Sequence, residues 1–353
     1  MFHRTDDLRI ENLRPLVSPA ILMEELPLRE EAASTVWSAR QEAGRILRGE
    51  DDRLLVVAGP CSIHDPEAGL EYARNLQEEA TRFSETLLIV MRVYFEKPRT
   101  TIGWKGLIND PNLDGSFEIN QGLRLARRFL LDVTSLGLPA GTEFLDPITP
   151  QYIADLVAWG AIGARTSESQ VHRELASGLS MPIGFKNATD GNVQVAIDGI
   201  GSAAHPHHFL SVTKQGLAAI VATKGNGECH VILRGGSLAP NYSADSVAEL
   251  GLALDRAGLP QRAMVDCSHD NSGKDHTRQP EVVCAVAAQV ADGAETVFGV
   301  MLESFLLDGK QDHTREPKLR YGQSITDKCM SWERTLPLFG TLAEAVTQRR
   351  ARR

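Results

Sequence analysis

The chain is poor in cysteine, and the five it has (Cys61, Cys229, Cys267, Cys284 and Cys329) include no C-x-x-C pair. An odd, widely spaced set argues against a disulfide framework and a structural zinc finger, and suits the reduced thiols of a cytoplasmic protein. Long apolar runs are also missing. No stretch approaches the roughly 18 residues of a membrane span, and the opening MFHRTDDLRIENLRPL carries charge where a secretory leader would be apolar. No membrane partner is therefore expected. Positive charge is in deficit: 37 Lys and Arg against 46 Asp and Glu leave a formal net charge of −9. That balance argues against a nucleic-acid surface, so a local cationic pocket would rather hold a small anion. A dinucleotide fingerprint is lacking too, because Gly199-Ile200-Gly201 has no third glycine in place and follows no convincing strand.

What is present is a rhythm. The 353 residues, 42% hydrophobic, can bury one large α/β core or two smaller ones. Residues 1–50 form a polar prelude, interrupted by Pro15 and Pro19, with helical spacing over 30–47 through Ala33, Val36, Ala39, Ala43, Ile46 and Leu47. This segment is too polar to stand alone, so it should pack on the body or on another subunit. From Arg53 onward, apolar runs at 54–58, 87–91, 138–144, 161–164, 181–185, 230–233, 263–265 and 296–301 read as strands. Amphipathic stretches at 67–80, 121–134, 151–158, 169–178, 244–257 and 281–292 lie between them. Alternation of this kind means parallel pairing, and eight units suggest a closed (β/α)8 TIM barrel over 51–353, with an open doubly wound sheet as the rival.

Two extra short strands, 208–213 and 217–223, flank Lys214-Gln215-Gly216 and read as a hairpin inserted at about 208–223, between the fifth and sixth βα units. His205-Pro206-His207-His208 just before it reads as a polar turn rather than a metal cluster. The carboxyl end, 341–353, reads as a short helix with a frayed basic tail (Arg349, Arg350, Arg352 and Arg353).

The strand ends favour the barrel. In order they carry Cys61, Arg92, Glu143, Arg165, Lys186, Arg234, His269 and Glu303, which a closed barrel gathers around one mouth and an open sheet spreads along a line. The run LLIVMRVYFEKPRTTIGWKG concentrates the signal: a strand buried on both faces ends in Arg92, and Pro98 keeps Lys97, Arg99, Thr100, Thr101 and Lys105 in a loop beyond it. Arg92, Lys97, Arg99, Arg165, Lys186 and Arg234 exceed the needs of one phosphate and suit two phosphorylated ligands, or one ligand bearing phosphate and carboxylate. Small residues in Gly160-Ala161-Ile162-Gly163-Ala164-Arg165-Thr166 let a ligand approach backbone amides. Cys61, His269, Glu303 and Asp327 form a candidate set for one divalent transition metal (Mn, Fe, Co or Zn), with Asp266 as a supporting acid or a satisfied core carboxylate.

The segments Gly59-Pro60-Cys61-Ser62-Ile63-His64, Tyr94-Phe95-Glu96-Lys97-Pro98-Arg99-Thr100, Gly163-Ala164-Arg165-Thr166, Gly184-Phe185-Lys186-Asn187, Leu233-Arg234-Gly235-Gly236, Asp266-Cys267-Ser268-His269 and Ser324-Ile325-Thr326-Asp327 together resemble class I 3-deoxy-D-arabino-heptulosonate 7-phosphate (DAHP) synthases. The resemblance is to the long, feedback-regulated bacterial subtype and runs from about Asp6 to the carboxyl end. It implies condensation of phosphoenolpyruvate with D-erythrose 4-phosphate, releasing phosphate at the entry to aromatic amino-acid biosynthesis. Carried over by position, Arg92, Lys97, Glu143, Ala164, Arg165, Lys186 and Arg234 would surround phosphoenolpyruvate. Lys97, Pro98, Arg99, Thr100 and Asp327 would meet erythrose 4-phosphate, and Cys61, His269, Glu303 and Asp327 would hold the metal. Lys97 or His269 would handle protons, with Cys61 acting through the metal. An aromatic amino acid would bind near Phe144, Pro147, Gln151, Ser180, Phe209 and Val221 in a homodimer or homotetramer. Asp146-Pro147 resembles the tyrosine-sensitive branch and favours tyrosine, with phenylalanine and tryptophan open.

Two rivals accompany this reading. The related eight-carbon 3-deoxy-D-manno-octulosonate 8-phosphate synthase is disfavoured by the Lys97-Pro98-Arg99-Thr100 tetrad and the long N-terminal segment. An inactive regulatory paralogue would have lost a metal ligand or a cation, and the sequence retains them all.

Overall fold

Continuous apolar runs can be satisfied only by strands covered on both faces, and these runs close on themselves. The computed structural model describes residue 3 and residues 5–99, 102–316 and 318–352. Its eight parallel strands are β1 (Leu54–Gly59), β2 (Leu87–Arg92), β3 (Ala140–Glu143), β4 (Trp159–Ile162), β5 (Ile183–Lys186), β8 (Cys229–Leu233), β9 (Ala263–Asp266) and β10 (Val297–Glu303). The barrel order is β1-β10-β9-β8-β5-β4-β3-β2, which excludes the open sheet. The first and last strands seal it in register, Leu55 opposite Gly299 and Gly59 opposite Glu303. The remaining two strands, β6 (His208–Val212) and β7 (Ala218–Ala222), form the inserted antiparallel hairpin.

Side chains alternate between two cores. Leu55, Val57, Val90, Tyr94, Trp159, Ile232, Met264, Phe298 and Met301 form one cluster, joined by Ala43, Ile46 and Leu47 of α2 (Glu30–Arg48). The prelude thus packs on the body through α2. Alternate positions such as Leu54, Val56, Ile89, Val231 and Val265 belong to the larger core, which also takes in side chains of the surrounding helices. Among these helices are α3 (Pro66–Arg82), capped by Asp65, α4 (Ile119–Ser135), α6 (Gln170–Gly178), α8 (Ala244–Arg256) and α9 (Gln279–Ala291).

Several expectations need correction. Pro19 does not merely interrupt the prelude; it starts α1 (Pro19–Glu25), with the Ser18 hydroxyl accepting from the Ile21 amide, as proline suits a first helical turn. Residues 151–158 form only the short α5 (Pro150–Ile153) and a 3-10 turn at Ala154–Leu156. A helix missing from the sequence reading, α7 (Gln194–Ala203), contains both Gly199 and Gly201. A Cβ on Gly199 would lie 2.7 Å from the Phe185 ring, so its absence serves close packing. The final helix, α10 (Trp332–Arg352), begins well before 341 and runs through Pro337, its sixth residue, which reads as a breaker in the sequence. Its tail is tied down: Arg350 meets Asp52 at 2.6 Å, Arg349 bonds the Asp52 carbonyl, and Arg352 meets Asp292 at 2.8 Å. Arg353 lies outside the described residues. No described helix is long and apolar enough to cross a membrane.

Candidate active site

The register that pairs Gly59 with Glu303 brings Cys61, two residues beyond β1, to the end of β10. Its thiol donates to Asp327 Oδ2 at 3.3 Å, and donor atoms of Cys61, Glu303 and Asp327 all lie within 4.8 Å of one another. Glu303 is fixed from both sides. Its backbone N–H donates to Gln279 Oε1 and its carbonyl accepts from Gln279 Nε2, each at 3.0 Å, while its carboxylate accepts from Arg92 Nη2 at 2.8 Å. His269 adjoins this trio without belonging to it, its Nε2 3.8 Å from Glu303 Oε1. Its Nδ1 is anchored 2.8 Å from Asp266 Oδ2. A thiol, two carboxylates and a neighbouring imidazole are a mixed-softness set that fits a divalent transition metal.

Beside these donors lies a cavity of about 790 Å³. Its wall holds Lys97, Arg99, Arg165, Lys186, Arg234, Lys274, Lys310 and Lys328 against Glu143, Asp190, Asp270, Glu303 and Asp327, eight cations to five carboxylates in a chain of net charge −9. Local excess of this sign favours phosphorylated or carboxylated ligands. Arg234 is ion-paired with Asp270, and Lys186 Nζ donates to Asp266 Oδ2 at 3.0 Å. Gly163 leaves room for Glu143: a Cβ there would sit 2.2 Å from its Oε1.

Of the residues expected around phosphoenolpyruvate, Lys97, Glu143, Ala164, Arg165, Lys186 and Arg234 line this cavity. Arg92 stands behind it, wholly buried, stacked 3.5 Å from the Tyr94 ring centroid. Its Nε and Nη1 have no hydrogen-bond partner among the described residues. Lys97, Pro98, Arg99 and Asp327 of the second substrate set also line the cavity, whereas Thr100 lies outside the described residues, as does Thr101. Around the expected effector position, Phe209 faces Val221 across the hairpin and Phe144 is buried beyond β3. The Gln151 carbonyl accepts from Lys214 Nζ at 2.6 Å, Pro147 is half-buried and Ser180 is exposed.

Burial and neighbours set the charges. Burial pushes the Cys61 thiol up to about 11, with Glu303 adding to the effect and Lys97 opposing it from 3.0 Å. Burial also acts to raise Asp327, but Lys97 and His269 outweigh it and hold the carboxyl down at about 2. Asp266 follows the same pattern: burial opposes its charge, yet His269 and Lys186 keep it well below the usual carboxylate range.

The sequence reading missed Asp270, Lys274, His276, Gln279, Lys310 and Lys328. Lys328 adjoins Asp327 and could have been flagged, but Asp270 and His276 lie in short 3-10 turns, Gln279 opens α9, and Lys274 and Lys310 sit in loops, none with an apolar run to mark a strand end.

A closed βα barrel whose strand ends join a metal-type donor cluster to a cationic cavity defines an enzyme site for small anions. The model described as the DAHP synthetase I family matches residues 23–338. The phospho-2-dehydro-3-deoxyheptonate aldolase, Phe-sensitive, of Escherichia coli (strain K12) is 58% identical over 350 residues, covering 99% of this chain and 100% of that protein. The tyrosine-inhibited enzyme of Schizosaccharomyces pombe is 54% identical, covering 98% and 94%. A solved phospho-2-dehydro-3-deoxyheptonate aldolase from Francisella tularensis SCHU S4 superposes with a TM-score of 0.95 at 55% identity, covering 97% of this chain and 99% of that one. The chain belongs to the DAHP synthetase I family.

Proposed function

We infer that this chain is a DAHP synthase, condensing phosphoenolpyruvate with D-erythrose 4-phosphate and water to give DAHP and inorganic phosphate. The observation that carries this is the cationic cavity opening beside the Cys61, Glu303 and Asp327 cluster, in a chain similar throughout to relatives named for that activity. Arg165, Lys186, Arg234 and the Ala164 amide would bind the phosphate of phosphoenolpyruvate, with Lys97, Glu143 and Arg92 around the rest of it. Lys97, Pro98, Arg99, Thr100 and Asp327 would orient the aldehyde substrate, and the cations offset repulsion between the two anions.

In the reaction, C3 of phosphoenolpyruvate bonds to C1 of the aldehyde, whose oxygen takes a proton. Water adds at C2, and the C2–O bond breaks to release phosphate. Lys97 or His269, both of which line the cavity, would donate that proton. A divalent metal held by Cys61, His269, Glu303 and Asp327 would polarise the aldehyde oxygen as a Lewis acid. Phosphate release from the two substrates, with Mn²⁺ added, tests the reading. Release with erythrose 4-phosphate but not with a five-carbon aldose phosphate is expected. The opposite preference would point to the eight-carbon product, and no release with either to an inactive binding paralogue.

Residues 1–50 serve as an extension for regulation and assembly, and 51–353 as the catalytic barrel. An aromatic amino acid binds among Phe144, Pro147, Gln151, Ser180, Phe209 and Val221, tyrosine being favoured. One relative named above is Phe-sensitive and another tyrosine-inhibited, so inhibition assays with each amino acid decide. The outward face of the hairpin, with Leu210 85% and Ile220 75% exposed, supports a homo-oligomer; light scattering reads its order.

A further inference from the structure

Asp266 ends β9 inside the barrel, wholly buried, and its carboxylate serves two sides of the cavity. Oδ2 accepts from Lys186 Nζ at 3.0 Å, from the end of β5, and lies 2.8 Å from His269 Nδ1. Oδ1 accepts from the Ser268 amide at 3.0 Å and from the Ser268 hydroxyl at 2.6 Å. With Oδ1 tied twice to one residue, the carboxylate cannot rotate to favour either partner of Oδ2.

His269 needs such an anchor. Its φ of 49° is left-handed, a conformation a residue with a Cβ keeps only where its surroundings enforce it. Nδ1 lies 2.8 Å from Asp266 Oδ2 and 2.7 Å from the Ser268 hydroxyl, which turns Nε2 toward the donor cluster, 3.8 Å from Glu303 Oε1. Lys186, 3% exposed, gains from the same oxygen the counter-charge that lets an ammonium remain buried. A carboxylate present only to neutralise Lys186 would have no reason to share its oxygen with an imidazole beside the metal-type donors.

We propose that Asp266 is a positioning residue coupling the two halves of the site, so that affinity for phosphoenolpyruvate and affinity for a divalent metal depend on the same oxygen atom. The proposal rests on the condensation assigned above for the identity of these ligands. Losing Asp266 removes one of the two contacts at His269 Nδ1 and the acceptor that orients the other, the Ser268 hydroxyl, and it lets Lys186 withdraw from the phosphate wall, so both affinities fall together.

Equilibrium titrations of the full chain read the two affinities without turnover: Mn²⁺ by disappearance of the free-ion paramagnetic resonance signal, and phosphoenolpyruvate by calorimetry in EDTA. Asp266→Asn is expected to weaken Mn²⁺ binding about 10- to 100-fold and phosphoenolpyruvate binding roughly 10-fold. Asp266→Glu, which keeps the charge, recovers part of each. Asp266→Asn also strands a buried lysine and could unfold the barrel. Lys186→Met combined with Asp266→Asn restores the charge balance, and Mn²⁺ binding in this pair should remain about 10- to 100-fold weaker than in Lys186→Met alone. A pair that binds Mn²⁺ as Lys186→Met does, or a folded Asp266→Asn that loses only one of the two affinities, overturns the coupling. A purely structural role would lower the melting temperature and leave both dissociation constants in place. If wild type makes DAHP while the variants keep both affinities, the coupling fails and the condensation stands. A wild type that binds both ligands but forms no product rejects the condensation, and the coupling is still read from the same titrations.

Discussion

The two ends of the barrel treat charge in opposite ways. At the amino end cations are already neutralised: Arg53 meets Asp51 and Glu42 at 2.7 Å each, Arg48 meets Glu228 at 2.6 Å, and Arg350 meets Asp52 at 2.6 Å. At the carboxyl end, cations face a cavity in which they outnumber carboxylates, and Arg92 is buried with two nitrogens lacking partners among the described residues. The paired end holds the structure together. At the carboxyl end Arg92, Lys186 and Arg234 each have a carboxylate partner, but cations still outnumber carboxylates around the cavity, and that excess is held for a ligand at a cost in stability that the rest of the fold offsets.

The comparison breaks most severely if the donor cluster is dispensable. Cys61→Ala should lower turnover by about 10²–10³-fold or more, while circular dichroism melting reports a folded barrel. Full activity in this variant under metal-stripped conditions would remove the cluster from the mechanism. Next in size is Arg165→Ala on the phosphate wall. Losing one charge-assisted contact, about 1.5–3 kcal/mol, should raise KM for phosphoenolpyruvate roughly 10- to 100-fold with little change in melting temperature.

The amino end should respond in the reverse sense. Arg53→Ala, which breaks a half-buried network, is expected to cost about 1–2 kcal/mol in denaturant unfolding and to leave kcat and KM within about twofold. A large KM change there would mean that the two ends are not separable.

The smallest effect concerns pH. Burial, with Asp146 adding to it, pushes Glu96 up to about 8. Its carboxylate accepts from the Asp146 amide and the Thr149 hydroxyl, each at 3.3 Å, joining the Lys97 loop to the segment expected to meet the effector. Because the folded value lies above the unfolded one, the folded chain holds the extra proton, and this group's contribution is present at low pH and lost as pH rises toward about 8. Glu96→Gln should therefore flatten the fall in melting temperature between roughly pH 5 and 8. An unchanged slope would show that Glu96 is ionised in the folded chain throughout that range.

The barrel was legible because strands covered on both faces must be apolar along their whole length, as β1, β2 and β10 are. Strand ends were legible for a related reason, since Arg92, Lys186 and Glu303 each interrupt or end such a run. Where local signals mislead, packing had decided the outcome. The glycines of α7 weaken helix propensity but let it approach Phe185, and Pro19 reads as a breaker until Ser18 is seen to cap the helix it starts. Irregular segments carried no signal for Lys274 or Lys310. The sharing of Asp266 by Lys186 and His269 depends on contacts between strands that periodicity cannot encode.

Anomalous scattering from a crystal grown with Mn²⁺ and phosphoenolpyruvate tests the central claim most directly. One Mn²⁺ peak bonded to Cys61, His269, Glu303 and Asp327 is expected, with the ligand phosphate against Arg165, Lys186 and Arg234. A peak bonded to none of these four, or a phosphate lodged among the paired charges of the amino end, would contradict it.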